Sequence, residues 1–292
     1  MLKKLFLAIS LIFTPFNLLA IDEVCSLPAE VLKHYNIIQW LGEGTQSTVY
    51  LAHDLEGNQV AIKTVYGRSG YLADVTEVQN EIRVSKTLQN VSSVRGFIEA
   101  INEEIIIMEY IQGYSLEERL ENALSNTCPK EQYLAWLLEL LTSLQEIVDQ
   151  GVLPIDISAD NILVDEATLQ LRIIDIADFI DLNQYQSHTC QLQVYKNGAI
   201  VSLSSDDGNV HELPLTPTVV VRLTAKDLYH LANVLLQASG NKELPSIYAP
   251  KPTSFINDTT KYDDLALLHS QFSGYLQELM SAVLEIYNKG NL

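Results

Sequence analysis

Residues 37–65 alternate apolar and polar side chains in three short runs, broken by "GEGTQS" and "DLEGNQ". Period-two patterning interrupted by turn-rich stretches specifies an antiparallel meander. "ADVTEVQNEIRVSKTLQN", residues 73–90, sets Val75, Val78, Ile82, Ser85 and Leu88 at helical spacing, with acids early and a lysine late. Two apolar strands follow, at 94–100 and 104–109.

Beyond them the pattern turns helical. "GYSLEERL" starts a short helix with Ser115 as N-cap and Glu118 three residues on. A long helix runs from Pro129 to Gln150 and stops at Gly151. Residues 162–165 and 170–174 read as a small hairpin, and a strand-rich stretch at 190–222 turns at Asn197-Gly198 and Asp207-Gly208. "KDLYHLANVLLQASG", ended by Gly240, and residues 263–288 give two more helices. The expected class is α+β: a strand-rich half, joined near "MEYIQGYS" to a mostly helical one, with a cleft between them.

Candidate chemistry lies on both sides of that cleft. Gly42 and Gly44, in a turn between two strands, let backbone approach phosphate oxygens that a Cβ would hold off. Val49 is placed to cover an apolar ring, and fourteen residues later Lys63 ends "VAIK" inside a strand. An isolated Gly-x-Gly is an ordinary hairpin turn; followed by Val and then Val-Ala-Ile-Lys at this spacing, it resembles the glycine-rich loop and strand lysine of eukaryotic-type protein kinases. Ser47 stands at the third glycine position. A buried lysine needs an anionic partner. The candidates are Glu77 and Glu81, and the likeness of "NEIRVSKTL" to the family's helix favours Glu81.

The resemblance covers about residues 36 to 240 and implies a bilobal protein kinase-like fold. It divides the chain into a small lobe at 36–111 and a large lobe at 112–292 with a divergent activation segment at 178–226, after a leader at 1–20 and an extension at 21–35. "IIIMEYIQGYSL" resembles the adenine-binding hinge, with Met108 at the back of the pocket and the backbone of Glu109 and Ile111 facing the base. Ala61, Val49 and Leu163 would sandwich the adenine ring. In "LPIDISADNILVDE", Asp156 and Asn161 match the family's Asp-x-x-x-x-Asn loop, and Asp175 in "IIDIA" falls where its Asp-Phe-Gly begins. By that likeness Asn161 and Asp175 hold Mg²⁺, Lys63 and Glu81 orient the phosphates of ATP, and Asp156 takes the proton of the attacking hydroxyl. Asp227 looks like the helix acid that ties down the catalytic loop.

The departures are specific. Pro154 and Ile155 replace His-Arg, so the arginine that senses an activation phosphate is absent. Ser158 replaces a lysine, a loss of about 2.7–4 kcal/mol by analogy with a missing oxyanion donor. Ile176 and Ala177 replace Phe-Gly, and no clear Ala-Pro-Glu lies between Asp175 and Asp227. Three readings therefore stand. One is an ATP- and Mg²⁺-dependent kinase acting on Ser or Thr of a protein. Another is a weak or inactive pseudokinase that binds nucleotide or scaffolds. The third is a small-molecule phosphotransferase, since aminoglycoside and choline kinases share a related loop.

Lys3 and Lys4 ahead of an apolar run to Ala20 have the anatomy of a cleaved secretory signal, broken by Pro15. That reading makes the protein an exported one, fitting a secreted microbial effector, with no stable membrane anchor. The formal charge is −19, and loss of Lys3 and Lys4 takes it to −21. Such a surface repels nucleic acid and suits a basic partner. Cys25, Cys128 and Cys190 allow at most one internal disulfide, and the scattered histidines lack zinc-ligand spacing. Asn90 and Asn257 open Asn-x-Ser/Thr triplets.

Overall fold

The computed structural model describes residues 27–43, 47–64, 75–121, 128–183, 200–204, 210–214, 217–250 and 265–290. The expected leader at 1–20, Gly44, Cys25, Cys190, Asn257 and the turn residues at 197–198 and 207–208 lie outside them. Among the described residues no helix is long and apolar enough to cross a membrane.

The first half is one antiparallel sheet. Its strands are β1 (Asn36–Glu43), β2 (Thr48–His53), β3 (Gln59–Thr64), β4 (Phe97–Ile101) and β5 (Ile105–Glu109), in the order β1-β2-β3-β5-β4. Both faces are covered, which explains why β3 and β5 read as nearly continuous apolar runs. Helix α1 (Ala29–His34), the first element among the described residues, brings Val31, with Leu27 and Tyr35 beside it, against Tyr50, Ile62, Ile105 and Ile107. Helix α2 (Val75–Thr87) brings Val78 and Ile82 to the opposite face, against Ile106 and Met108. Alternate residues of β5 thus serve two different cores. The segment preceding the meander is therefore part of the sheet's packing, a role its own sequence did not disclose.

A short strand β6 (Gly113–Ser115) leads into α3 (Leu116–Glu121). The expected capping box forms in both directions. Glu118 N–H donates to Ser115 Oγ, and Ser115 N–H donates to the Glu118 carboxylate, each at 3.1 Å. Helix α4 (Lys130–Asp149) follows and ends at Gly151, whose φ of +77° is the left-handed C-terminal stop. The pairs β7 (Val152–Leu153) with β10 (Ile180–Asp181), and β6 with β8 (Ile162–Asp165) and β9 (Leu171–Ile173), form two small sheets of the second half. A separate hairpin joins β11 (Ile200–Ser204) to β12 (Val210–Pro214).

Helices α5 (Pro217–Ala238) and α6 (Leu265–Gly290) complete the large core, centred on Trp136, Leu140 and Leu144 of α4. Here the sequence expectation needs correction: residues 217–222 are helical, not strand. Val219, Val220 and Val221 favour strand by local propensity. Pro217 is nevertheless suited to a first helical turn, and Val221, Ala225, Leu228, Ala232 and Leu235 form a buried stripe at helical spacing.

At Gly113 the backbones of β6 and β8 approach so closely that a Cβ would sit 2.1 Å from the Val164 carbonyl oxygen. Gly113→Ala is expected to lower stability by about 1–3 kcal/mol, the usual range for overpacking, as read from the urea midpoint at unchanged m-value.

Candidate active site

Strand β3 carries Lys63 into the cleft, where its side chain is 9% exposed. An ammonium in that setting must be paired. Its Nζ lies 2.6 Å from Glu81 Oε2 and 3.3 Å from Asp175 Oδ1. Glu81 is on α2, 1% exposed, whereas Asp175 follows β9 in the other half and is 46% exposed. One cation therefore joins the small sheet, its covering helix and the helical half. Burial works against the Lys63 charge, but the two carboxylates outweigh it and raise its pKa above the ordinary lysine value.

The loop between β7 and β8 holds Asp156 and Asn161. Asp156 has φ +55°, a left-handed conformation that a residue with a Cβ keeps only when its surroundings impose it. Three bonds do so here. The Asp156 N–H donates to Thr224 Oγ1 at 3.3 Å, and Asn161 Nδ2 donates to the Asp156 carbonyl at 3.2 Å and to its carboxylate at 3.4 Å. The Ile174 N–H bonds the Asn161 carbonyl at 3.0 Å, which sets the loop beside the residue preceding Asp175. Burial, then the charges of Asp160 and Asp175, push the Asp156 carboxyl upward, with Asn161 opposing.

The floor and roof of the cleft come from strand register. Val49 pairs with Lys63, and Ala61 pairs with Met108. Ala61 is fully buried and Met108 nearly so, with Met108 packed on α2. On β8, Ile162 and Val164 point into the large core and Leu163 alternates to the other side, half-buried. A Cβ at Gly42, in β1, would meet nothing within 4 Å, so open space lies beside it. The Glu109 carboxylate pairs with Arg172 of β9, and its N–H donates to the Gly96 carbonyl at 2.8 Å. Any contact of Glu109 with a base falls to its own carbonyl. Ile111, two residues further along the hinge, is buried.

The comparisons with known proteins agree with this geometry. The family model for the protein kinase domain matches residues 35–197, more than half of the chain. The chain belongs to the protein kinase family. A calmodulin-binding receptor-like cytoplasmic kinase of Arabidopsis thaliana is 30% identical over 155 residues, covering 50% of this chain and 31% of the relative. The serine/threonine-protein kinase STE20 of Candida glabrata is 32% identical over 148 residues, 49% of this chain and 15% of the relative. The tyrosine-protein kinase hopscotch of Drosophila melanogaster is 29% identical over 159 residues, 52% of this chain and 13% of the relative. The chain thus spans a third or less of the length of these relatives. With its β-rich sheet and helical half, the kinase has the bilobal α+β architecture that the motifs implied.

Lys63, Glu81, Asp156, Asn161 and Asp175 converge, while Gly44 lies outside the described residues. Two supporting residues went unread in the sequence. Thr224, 2% exposed, makes the helix-to-loop bond expected of Asp227, which is exposed one turn later on α5. A Thr in a β-branched run gave no sign of it. Arg172, flanked by apolar strand residues, pairs with the hinge acid only because the chain folds back.

Proposed function

We propose that this kinase transfers the terminal phosphoryl group of ATP to hydroxyls, in the first instance Ser or Thr of a protein, with Mg²⁺ required. The observation that carries the reading is the Lys63 bridge, at 2.6 Å to the α2 acid and 3.3 Å to the acid of the other half, Asp175, whose charge also acts on Asp156. In this reading Lys63 holds the nucleotide phosphates, Glu81 holds Lys63, and Ala61, Val49, Met108 and Leu163 enclose the base with the hinge backbone of Glu109 and Ile111. Gly42 and Gly44 keep side chains off the phosphates. Asp156 orients the acceptor hydroxyl and takes its proton. The acceptor oxygen then bonds the terminal phosphorus as the bond to the bridging oxygen breaks and ADP leaves.

The residues present fit a hard divalent cation. Asp175 supplies a half-exposed carboxylate, and Asn161 spends its amide nitrogen on Asp156, which leaves the amide oxygen as its ligand atom. Two protein oxygens suit Mg²⁺, which keeps waters and phosphate oxygens as its remaining ligands. When bound, the ion offsets the charge of the phosphates. No activation-segment phosphate is required, because Ile155 stands where the phosphate-sensing arginine would be and is itself buried. The leader at 1–20 places the kinase outside the cytoplasm in this proposal, as an exported effector with an acidic surface suited to a basic protein target.

A thermal shift tests the binding half. ATP with Mg²⁺ is expected to raise the melting temperature by several degrees, since ligand at about 100 Kd adds roughly 2.7 kcal/mol. The Mg²⁺-dependent part is lost in Asp175→Ala. No shift in the wild type overturns the reading. A second reading, a nucleotide-binding module without transfer, is favoured by Ser158 at the position of a phosphate-neutralising lysine; binding without labelling of any acceptor would establish it. ADP release with metabolites but not proteins would mark a small-molecule phosphotransferase.

A further inference from the structure

The residue before Glu81 on α2 is Asn80, a buried amide facing the segment that carries Asp175. Its Nδ2 donates to two backbone carbonyls of that segment, Ala177 at 2.6 Å and Phe179 at 2.8 Å. The Ala177 peptide is gripped at both ends. Its carbonyl is held by Asn80, and its N–H donates to Asp175 Oδ1 at 3.3 Å. The same Oδ1 faces Lys63, and Lys63 is held by Glu81. The contacts form a closed ring: Asn80 to Ala177, Ala177 to Asp175, Asp175 to Lys63, Lys63 to Glu81, and back along one peptide to Asn80.

Neighbouring packing makes the ring stiff. Ile176 and Phe179, on either side of Ala177, are buried at 3% and 0% exposure. Two turns further along α2, Thr87 Oγ1 donates to Asp181 Oδ2 at 2.5 Å, and Asp181 sits in β10 paired to β7. Helix α2 is thus bonded to the 175–181 segment at two points, about 11 Å apart at the helical rise of 1.5 Å per residue. Either carbonyl left without a donor at this burial would be costly, so the segment and the helix hold a common position.

We propose that Asn80 is a positioning residue: it couples α2 to the metal-binding segment, so that the turn of helix presenting Glu81 to Lys63 also fixes Asp175 at the nucleotide. The proposal deepens the phosphotransfer reading and rests on it for its consequence, while the coupling itself is a property of the free protein. It supplies a physical reason for a site assembled without a phosphorylated loop.

The test uses the full chain as wild type and Asn80→Leu, a near-isostere without donors. Amide hydrogen exchange in the nucleotide-free protein is expected to accelerate about tenfold or more across 176–181, with α4 unchanged. The Mg²⁺-dependent part of the ATP thermal shift is expected to fall by about half or more, while the Mg²⁺-free part persists. Exchange across 176–181 equal to wild type, or accelerated only as much as α4, overturns the coupling. An unchanged Mg²⁺-dependent shift overturns the positioning role. Failure of the wild type to respond to ATP at all instead removes the phosphotransfer reading, and with it the role, while exchange still decides the coupling. If Asn80→Leu does not fold, Asn80→Ser carries the same comparisons, because its hydroxyl cannot span both carbonyls.

Discussion

Asp156→Asn is expected to reduce transfer of labelled phosphate from ATP by about 10²–10⁴-fold, the usual contribution of a positioned base. The substitution isolates chemistry from folding. Asn has the same shape and tolerates the left-handed backbone found at φ +55°. The Asp156 N–H and carbonyl bonds to Thr224 and Asn161 use backbone atoms and survive. What is lost is a carboxylate able to receive the hydroxyl proton. The measurement is labelling of the kinase itself and of a basic protein acceptor, alongside an ATP–Mg²⁺ thermal shift that should match wild type. Equal labelling in the two proteins would remove Asp156 from the reaction as its base.

The largest effect on stability is expected from Lys63→Met. Removing one partner of a buried ion pair leaves an uncompensated charge, typically at a loss of about 3–5 kcal/mol. For a chain of this size that is a fall in melting temperature of roughly 10 °C. Burial already pushes the Glu81 carboxyl above its ordinary value, with Lys63 pulling the other way. Without Lys63 the rise is larger. A carboxyl whose folded pKa exceeds its unfolded one favours the fold below the unfolded value, and that contribution is lost as pH rises through the folded value. The variant's deficit against wild type is therefore smaller near pH 5 than near pH 8. Lys63→Met combined with Glu81→Leu should recover most of the loss, because the stranded carboxylate is gone. A double variant no more stable than the single one would show that the pair is not what holds α2 to the sheet. Both single and double variants should lose nucleotide binding.

Much of the architecture was legible because it rests on periodicity. The meander of β1 to β3, the helix at α2, the Ser115–Glu118 capping box and the Gly151 stop are local patterns with local causes, and each formed where its residues indicated. The ends of elements were less legible. Pro217 and the valines after it show why: a short β-branched run has the same composition in a strand and in a buried helix, and only the stripe ending at Leu235 decides between them. The choice between Glu77 and Glu81 likewise needed the family likeness, since both are acids on one helix.

By itself the sequence determined which side chains make up the candidate site, because Lys63, Asp156, Asn161 and Asp175 stand in a fixed order on elements whose types their neighbours dictate. Tertiary structure alone decided what holds those groups in place: Thr224 beneath Asp156, Arg172 behind the hinge, and Asn80 clasping the segment after Asp175. The reason is physical. Strand and helix patterns arise from neighbours a few positions apart, whereas a hydrogen bond between residues 68 or 97 positions apart depends on where two elements meet, and no local period records that meeting.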